Sequence, residues 1–199
     1  KYSFDNLVQS YPSGEKVQAR LASKMFDVSE RNIVVGNGAS ELINNLTQAL
    51  NIKLGMFTPT FEEYSNRFND LETFNTEKND FSYGKDDILR IAKSNDGIIL
   101  INPDNPSGNF IEYQEILEIL KQLKKEQKYL ILDESFIDFA ENGFNSSFLN
   151  QKDLSTYDNL IVIKSIGKSY GLGGLRLGVL ASSNAFQKYS LQILFQTYR

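Results

Sequence analysis

Short apolar runs alternate along the chain with segments of helical periodicity. Short apolar runs are typical of buried strands, whereas apolar residues spaced at helical intervals are typical of helices. The predicted strands cover Ile33–Val35, Lys53–Phe57, Leu71–Phe74, Gly97–Ile101, Tyr129–Leu132, Leu160–Ile163 and Leu175–Leu180. The predicted helices cover Ala39–Leu50 and Glu112–Lys125, with another that begins near Phe61. This alternation predicts an α/β domain with a mainly parallel sheet, which binds ligands at the carboxyl ends of its strands.

Polar segments rich in glycine or proline follow two of these strands. Residues 36–41, GNGASE, lie between a strand and a helix, so their backbone N–H groups either bind an anion or form a capped turn. Glu41 stands where a dinucleotide-binding fingerprint has its third glycine, which argues against that fingerprint. Residues 102–108, NPDNPSG, form a rigid turn that either closes a loop or aims the Asn105 amide at a ligand oxygen.

An acidic pair, Asp133 and Glu134, follows the apolar strand that ends at Leu132. A carboxylate there is costly unless it is paired or hydrogen-bonded. The possible interpretations of Asp133 and Glu134 include a helix cap, a metal ligand and the acidic pair of a P-loop nucleotide-binding enzyme. Gly167–Ser169 matches the end of a P-loop motif, but Val162 occupies the position of the first glycine. The nucleotide-binding interpretation is therefore disfavoured.

Composition narrows the class of protein. The chain has 199 residues, 41% of them hydrophobic and 23% charged, which suits one globular domain with a sizeable core. A net charge of −4 argues against nucleic acid or an anionic membrane as a partner. No apolar run is long enough to span a bilayer, and the first residues show no signal-peptide pattern. The expected location is therefore the cytoplasm.

The chain contains no histidine and no cysteine, which excludes catalytic imidazoles and thiolates and the metal sites that they form. No metal is expected. A lysine can still act as a nucleophile if its amine is desolvated or lies near another cation. Lys168 lies between Ser165 and Arg176 in the glycine-rich segment SIGKSYGLGGLR. Arg176 can bind a phosphate bidentately, and its charge would favour the neutral amine of Lys168.

Taken together, these groups match the functional groups of pyridoxal 5'-phosphate (PLP). An anion site with an arginine and a hydroxyl suits the phosphate, and a lysine suits the aldehyde. A buried carboxylate suits the protonated ring nitrogen, and an amide suits the ring oxygen. The residues therefore predict a PLP-dependent enzyme.

From Tyr11-Pro12 to Leu180 the chain resembles the large, cofactor-binding domain of fold-type I PLP enzymes, in the class I and II aminotransferase group. The resemblance implies a three-layer α/β/α fold, with a mainly parallel sheet flanked by helices. It also implies two catalytic residues. Lys168 would form the Schiff base with PLP and then carry protons, and Asp133 would pair with the ring nitrogen.

The resemblance implies further contacts with the cofactor. Asn105 would bond the ring hydroxyl oxygen, Phe61 would stack on the ring, and Tyr11 would reach the phosphate of a partner subunit in an obligate homodimer. Phe136 stands where most members have a tyrosine, so that residue's bond to the ring oxygen would be lost. The phosphate would be bound by backbone N–H groups at the helix start and by two side chains. These residues are Gly38, Ala39, Ser40, Ser165 and Arg176.

Within this group the chain resembles the branch of histidinol-phosphate aminotransferases and threonine-phosphate decarboxylases. In that comparison, FEEY at residues 61–64 and FIDF at residues 136–139 favour the decarboxylases. The expected activity is amino transfer from a small amino acid or phosphorylated amine to a keto acceptor. Decarboxylation and a non-catalytic domain that keeps the fold are the alternatives. The family's small C-terminal domain has no counterpart in residues 1–199, so the whole chain is expected to form the large domain.

Overall fold

The structure, a computed structural model, describes residue 9, residues 13–141 and residues 143–183. Its strands are β1 (Ile33–Asn37), β2 (Leu54–Thr58), β3 (Leu71–Asn75), β4 (Gly97–Ile101), β5 (Tyr129–Asp133), β6 (Leu160–Ser165) and β7 (Leu177–Ser182). Its α-helices are α1 (Glu15–Phe26), α2 (Ala39–Ala49), α3 (Lys85–Ala92), α4 (Tyr113–Lys125), α5 (Gln151–Thr156) and α6 (Ile166–Ser169). All seven predicted strands are therefore confirmed.

The seven strands form one sheet in the order β1–β7–β6–β5–β4–β2–β3. The pairs among β2, β3, β4, β5 and β6 are parallel, as the alternation of strands and helices predicted. Strand β7 is inserted between β1 and β6 and runs antiparallel to both. As a result, β7 begins at the edge of the sheet where β1 and β6 end.

Both faces of the sheet are covered, which explains why its central strands consist mostly of apolar residues. Along β4, Ile98 and Leu100 join one core cluster, while Ile99 and Ile101 join the other. Helix α2 packs its apolar side on the second cluster, and helices α3, α4 and α5 pack on the first. This arrangement confirms the three-layer α/β/α fold.

The prediction of a helix that begins near Phe61 is wrong, because residues 62–67 form consecutive turns instead. The N–H groups of Asn66 and Phe68 bond four residues back, but that of Arg67 bonds only three residues back, to Tyr64. This break in spacing prevents a regular helix. Within the described ranges, no helix is both long and apolar enough to cross a membrane.

Candidate functional site

The candidate site lies at the edge of the sheet where β1, β5 and β6 end and β7 begins. At this edge Leu177 of β7 pairs with Asn37 of β1, and Gly178 pairs with Ser165 of β6. A cavity of about 410 Å³ opens there. Its walls include most of the predicted site residues, namely Gly38, Ala39, Ser40, Phe61, Ser165, Lys168 and Arg176. Residues far apart in the sequence therefore meet in one place.

One end of the cavity is lined by the start of α2 and by Arg176. Gly38 precedes α2 with a φ of +79°, a backbone conformation that L side chains rarely adopt. A Cβ placed on Gly38 would lie 3.4 Å from a guanidinium nitrogen of Arg176, so the arginine packs directly over the start of the helix. The Asn37 N–H donates to Glu41 at 2.6 Å, which fixes the turn. The helix start and the arginine thus present positive charge to the same space.

Lys168 lies on the single turn of α6, with its amine between two aromatic rings. Its Nζ is 4.0 Å from the ring centre of Phe136 and 5.0 Å from that of Phe61. The pKa of Lys168 is lowered because the surrounding protein desolvates the charged amine, and the charge of Asp133 opposes this effect. From the sequence, we expected the charge of Arg176 to lower the pKa of Lys168. In the structure, desolvation of the amine lowers it instead.

Asp133, at the end of β5, is 1% exposed and has both carboxylate oxygens hydrogen-bonded. Oδ2 accepts from the Tyr64 hydroxyl at 2.7 Å, and Oδ1 accepts from the Ser135 N–H at 2.9 Å. Burial, and secondarily the charge of Asp133, raise the pKa of Tyr64 well above its usual value, so its hydroxyl stays a donor. The carboxylate is therefore held in one orientation.

Three residues of the site were not identified from the sequence. Tyr64 is the partner of Asp133, the Ser135 hydroxyl accepts the Ser165 N–H at 3.0 Å, and Glu63 lines the cavity while it pairs with Arg67 at 2.6 Å. The FEEY motif contains Tyr64 and Glu63, but no spacing rule connects that motif with a carboxylate so distant in sequence. Only the tertiary structure shows these contacts.

The structure places the remaining predicted residues differently. Phe136 reaches the site through its contact with Lys168. Asn105 is half-buried and does not line the cavity, and its side chain makes no hydrogen bond to the described part of the chain. The neighbouring Asp104 accepts a hydrogen bond from the Thr60 hydroxyl, which ties the Asn105 loop to the loop that carries Phe61. Tyr11 lies outside the described residues.

A family model described as aminotransferase class I and II matches residues 5–195. The chain belongs to this family. Enzymes of the family use PLP as their cofactor. The cavity fits that molecule, because an arginine over a helix start suits its phosphate and an accessible amine suits its aldehyde. Asp133 does not line the cavity, but this buried carboxylate bonds to the lining residue Ser135 and suits the ring nitrogen.

Relatives in the family have two kinds of activity. The L-serine phosphate decarboxylase of Sulfurospirillum multivorans is 30% identical over 184 residues, which are 88% of this chain and 47% of that protein. The histidinol-phosphate aminotransferase of Pyrococcus furiosus is 31% identical over 166 residues, 81% of this chain and 46% of that protein. A decarboxylase structure from S. multivorans has a TM-score of 0.77 at 28% identity, with 92% of this chain and 48% of that chain covered. This chain spans about half the length of the relatives it matches.

Proposed function

We propose that this chain forms the cofactor-binding domain of a PLP-dependent aminotransferase that acts on a small amino acid or a phosphorylated amine. The observation that carries the proposal is that the Lys168 amine and the α2 start beneath Arg176 line one cavity. The buried carboxylate of Asp133 does not line the cavity itself, but it bonds to the N–H of the lining residue Ser135, and its charge acts on Lys168. Core packing requires none of them, which disfavours a non-catalytic domain.

We assign the residues around the cavity to the parts of the cofactor. The turn Gly38–Ser40, Ser165 and Arg176 would hold the phosphate, and Phe61, Phe136 and Asn105 would contact the ring. When bound, PLP supplies an electrophilic aldehyde and an electron-withdrawing ring. Asp133 would stabilise the proton on the ring nitrogen, because the carboxylate is buried and held by Tyr64.

Lys168 would act as both nucleophile and proton carrier. A lowered pKa increases the fraction of neutral amine, which is the form that attacks an aldehyde and accepts a proton. The rings of Phe61 and Phe136 limit where Nζ can lie, so the proton is accepted at a defined position. Phe136 has no hydroxyl and would donate no hydrogen bond to the ring oxygen of the cofactor. Asn105 would then be the donor to that oxygen.

The substrate class is inferred from the names of the relatives. Histidinol-phosphate aminotransferase and L-serine phosphate decarboxylase both name a phosphate ester that carries an amine. We propose a substrate of this kind, with decarboxylation as the second candidate because decarboxylases match this chain as well as aminotransferases do. We also propose that the protein acts as a homodimer, in which Tyr11 would reach the partner subunit's cofactor.

The first test is covalent capture of the cofactor. The full chain is mixed with PLP, scanned for a visible absorbance band, reduced with borohydride and mapped by peptide mass spectrometry. A pyridoxyl group on Lys168 is expected, and Lys168→Ala should abolish both the band and the label. Lys121→Ala, on the exposed side of α4, is the matched control and should leave both unchanged. An equal yield of label in Lys168→Ala would sink the proposal.

A second assay separates the two activities. O-Phospho-L-serine is supplied to the PLP-loaded full chain with and without 2-oxoglutarate. Formation of glutamate that depends on Lys168 indicates amino transfer, whereas release of carbon dioxide without the keto acid indicates decarboxylation. Neither product, from this ester or from histidinol phosphate, would favour the non-catalytic alternative.

A further inference from the structure

The turn that carries Lys168 has few local restraints after the lysine. Gly171 has a φ of +63°, and a Cβ placed on Gly171 or on Gly174 would meet nothing within 4 Å. Two backbone hydrogen bonds of ordinary length lie in this segment, from the Leu172 N–H to the Gly167 carbonyl at 2.8 Å and from the Leu175 N–H to the Leu172 carbonyl at 3.0 Å. A loop with this much open space does not by itself fix the direction of the Lys168 side chain.

Asp138 connects the two sides of this turn. Its Oδ1 accepts from Lys164 Nζ at 2.7 Å, and its Oδ2 accepts from the Ser169 hydroxyl. Lys164 lies on β6 before Lys168, and Ser169 follows Lys168 directly. Asp138 therefore bonds to residues on both sides of the reactive lysine in the sequence. Lys164 is only 5% exposed, and a buried ammonium requires its partner. The carboxylate that Ser169 bonds is therefore itself held in place.

The segment that carries Asp138 also contacts the reactive lysine directly. The Phe136 ring lies 4.0 Å from Lys168 Nζ, and the Ser135 hydroxyl accepts the Ser165 N–H at 3.0 Å. Burial raises the pKa of Asp138, but the hydrogen bonds from Lys164 and Ser169 lower it more, so Asp138 stays ionised near neutral pH. Residues 135–138 thus hold the lysine turn at three points.

We propose that Ser169 and Asp138 are positioning residues for Lys168. The hydrogen bond between them anchors the open side of the turn, and this keeps the amine against Phe136 and facing the cavity. The inference rests on the proposed function of Lys168. Neither residue would touch the cofactor, and both act through the lysine.

The test uses three variants of the full chain. Ser169→Ala removes the anchoring hydroxyl but keeps the ion pair of Lys164 and Asp138, so folding should be preserved. Ser169→Thr restores the hydroxyl. Ser155→Ala is the control, since Ser155 is exposed and, among the described residues, its hydroxyl bonds only to the Lys152 carbonyl of its own helix.

Two measurements are made on each variant, amide hydrogen exchange over residues 166–172 and the affinity for PLP from an absorbance titration. Ser169→Ala should accelerate this exchange and weaken PLP binding, each by about 3- to 10-fold, the usual range for one lost hydrogen bond. Ser169→Thr should restore both values, and Ser155→Ala should change neither. The melting temperature of Ser169→Ala should stay close to that of the parent chain.

Unchanged exchange over residues 166–172 in Ser169→Ala would overturn the proposal. A lower melting temperature with unchanged PLP affinity would also overturn it, because Ser169 would then support the fold alone. If the parent chain takes up no PLP on Lys168, the proposed function fails. The exchange data then still decide whether Ser169 anchors the turn.

Discussion

The two residues to which we assign catalytic roles, Lys168 and Asp133, lie in different surroundings. The Lys168 amine faces an open cavity and contacts two aromatic rings. Partial desolvation lowers its pKa, yet the amine stays accessible from the cavity. Asp133 is buried, and each of its carboxylate oxygens accepts a hydrogen bond. A fixed anion and an accessible amine are the combination that a preorganised site requires.

Tyr64→Phe tests how firmly Asp133 is held. The change leaves Oδ2 of a buried carboxylate without its donor, which should lower the free energy of unfolding by about 1–3 kcal/mol. Urea denaturation measures this loss. Tyr157→Phe is the matched control, since Tyr157 is also buried but its hydroxyl bonds to no described residue. Equal losses in the two variants would show that the hydrogen bond to Asp133 contributes nothing.

The sequence predicted Lys168 because the absence of histidine and cysteine leaves few other nucleophiles. It predicted Asp133 because a carboxylate at the end of an apolar strand is unusual. It did not predict Tyr64 or Ser135, since their partners are brought near only by the arrangement of the strands. Asn105 and Tyr11 stay predictions, because Asn105 lies off the cavity and Tyr11 lies outside the described residues.

Strand β7 and helix α2 approach each other more closely than a side chain would allow. A Cβ placed on Gly178 of β7 would lie 2.6 Å from both the Ala39 nitrogen and the Gly38 carbonyl carbon. These are backbone atoms at the helix start, so they cannot move aside cheaply. Gly178 therefore allows the start of α2 and Arg176 to face the same cavity.

Gly178→Ala should displace the start of α2. Crowding of this kind costs about 1–3 kcal/mol in folding free energy, and affinity for inorganic phosphate and PLP should fall in parallel. Calorimetric titration and thermal unfolding measure the two effects. Gly174→Ala, whose Cβ would meet nothing within 4 Å, is the control and should change neither. Full retention of both properties in Gly178→Ala would contradict the close approach.

Strands were predicted better than helices because buried strands are continuous apolar runs. Helices α3 and α5 are too short to show a clear period. In α1, Ala22 is buried and Phe26 is half-buried against the core. The apolar residues Val17, Leu21 and Met25 are exposed, so the apolar residues of α1 do not form one core-facing side. The segment after Phe61 has apolar residues at helical spacing but forms turns.

At the scale of the whole molecule, one buried carboxyl couples folding to pH. Glu134 is 1% exposed and accepts hydrogen bonds from the Ser147 hydroxyl at 2.5 Å and the Phe148 N–H at 2.7 Å. Burial raises its pKa from 4.5 to about 7, although the hydrogen bonds and the charge of Lys164 oppose the rise. The folded chain thus binds this proton more tightly than the unfolded chain does.

The stability that Glu134 contributes is therefore full below pH 4.5 and is lost as pH rises to about 7. Glu134→Gln, which cannot ionise, should gain stability relative to the parent chain over this window, by about 3 kcal/mol. Urea titrations at several pH values measure the difference. Glu62→Gln, at an exposed position, should show no such trend. A pH-independent difference for Glu134→Gln would mean that Glu134 stays charged in the folded state.

The position of β7 has a consequence for how the protein is made. Strand β1 and the start of α2 leave the ribosome before β7, yet among the described strands β1 pairs with β7 alone. Arg176 directly precedes β7 and emerges with it. During synthesis the helix start is therefore present before Arg176, which lines the same cavity, has been added. The cavity between the start of α2 and Arg176 can therefore form only after β7 has been synthesised and has paired with β1 and β6.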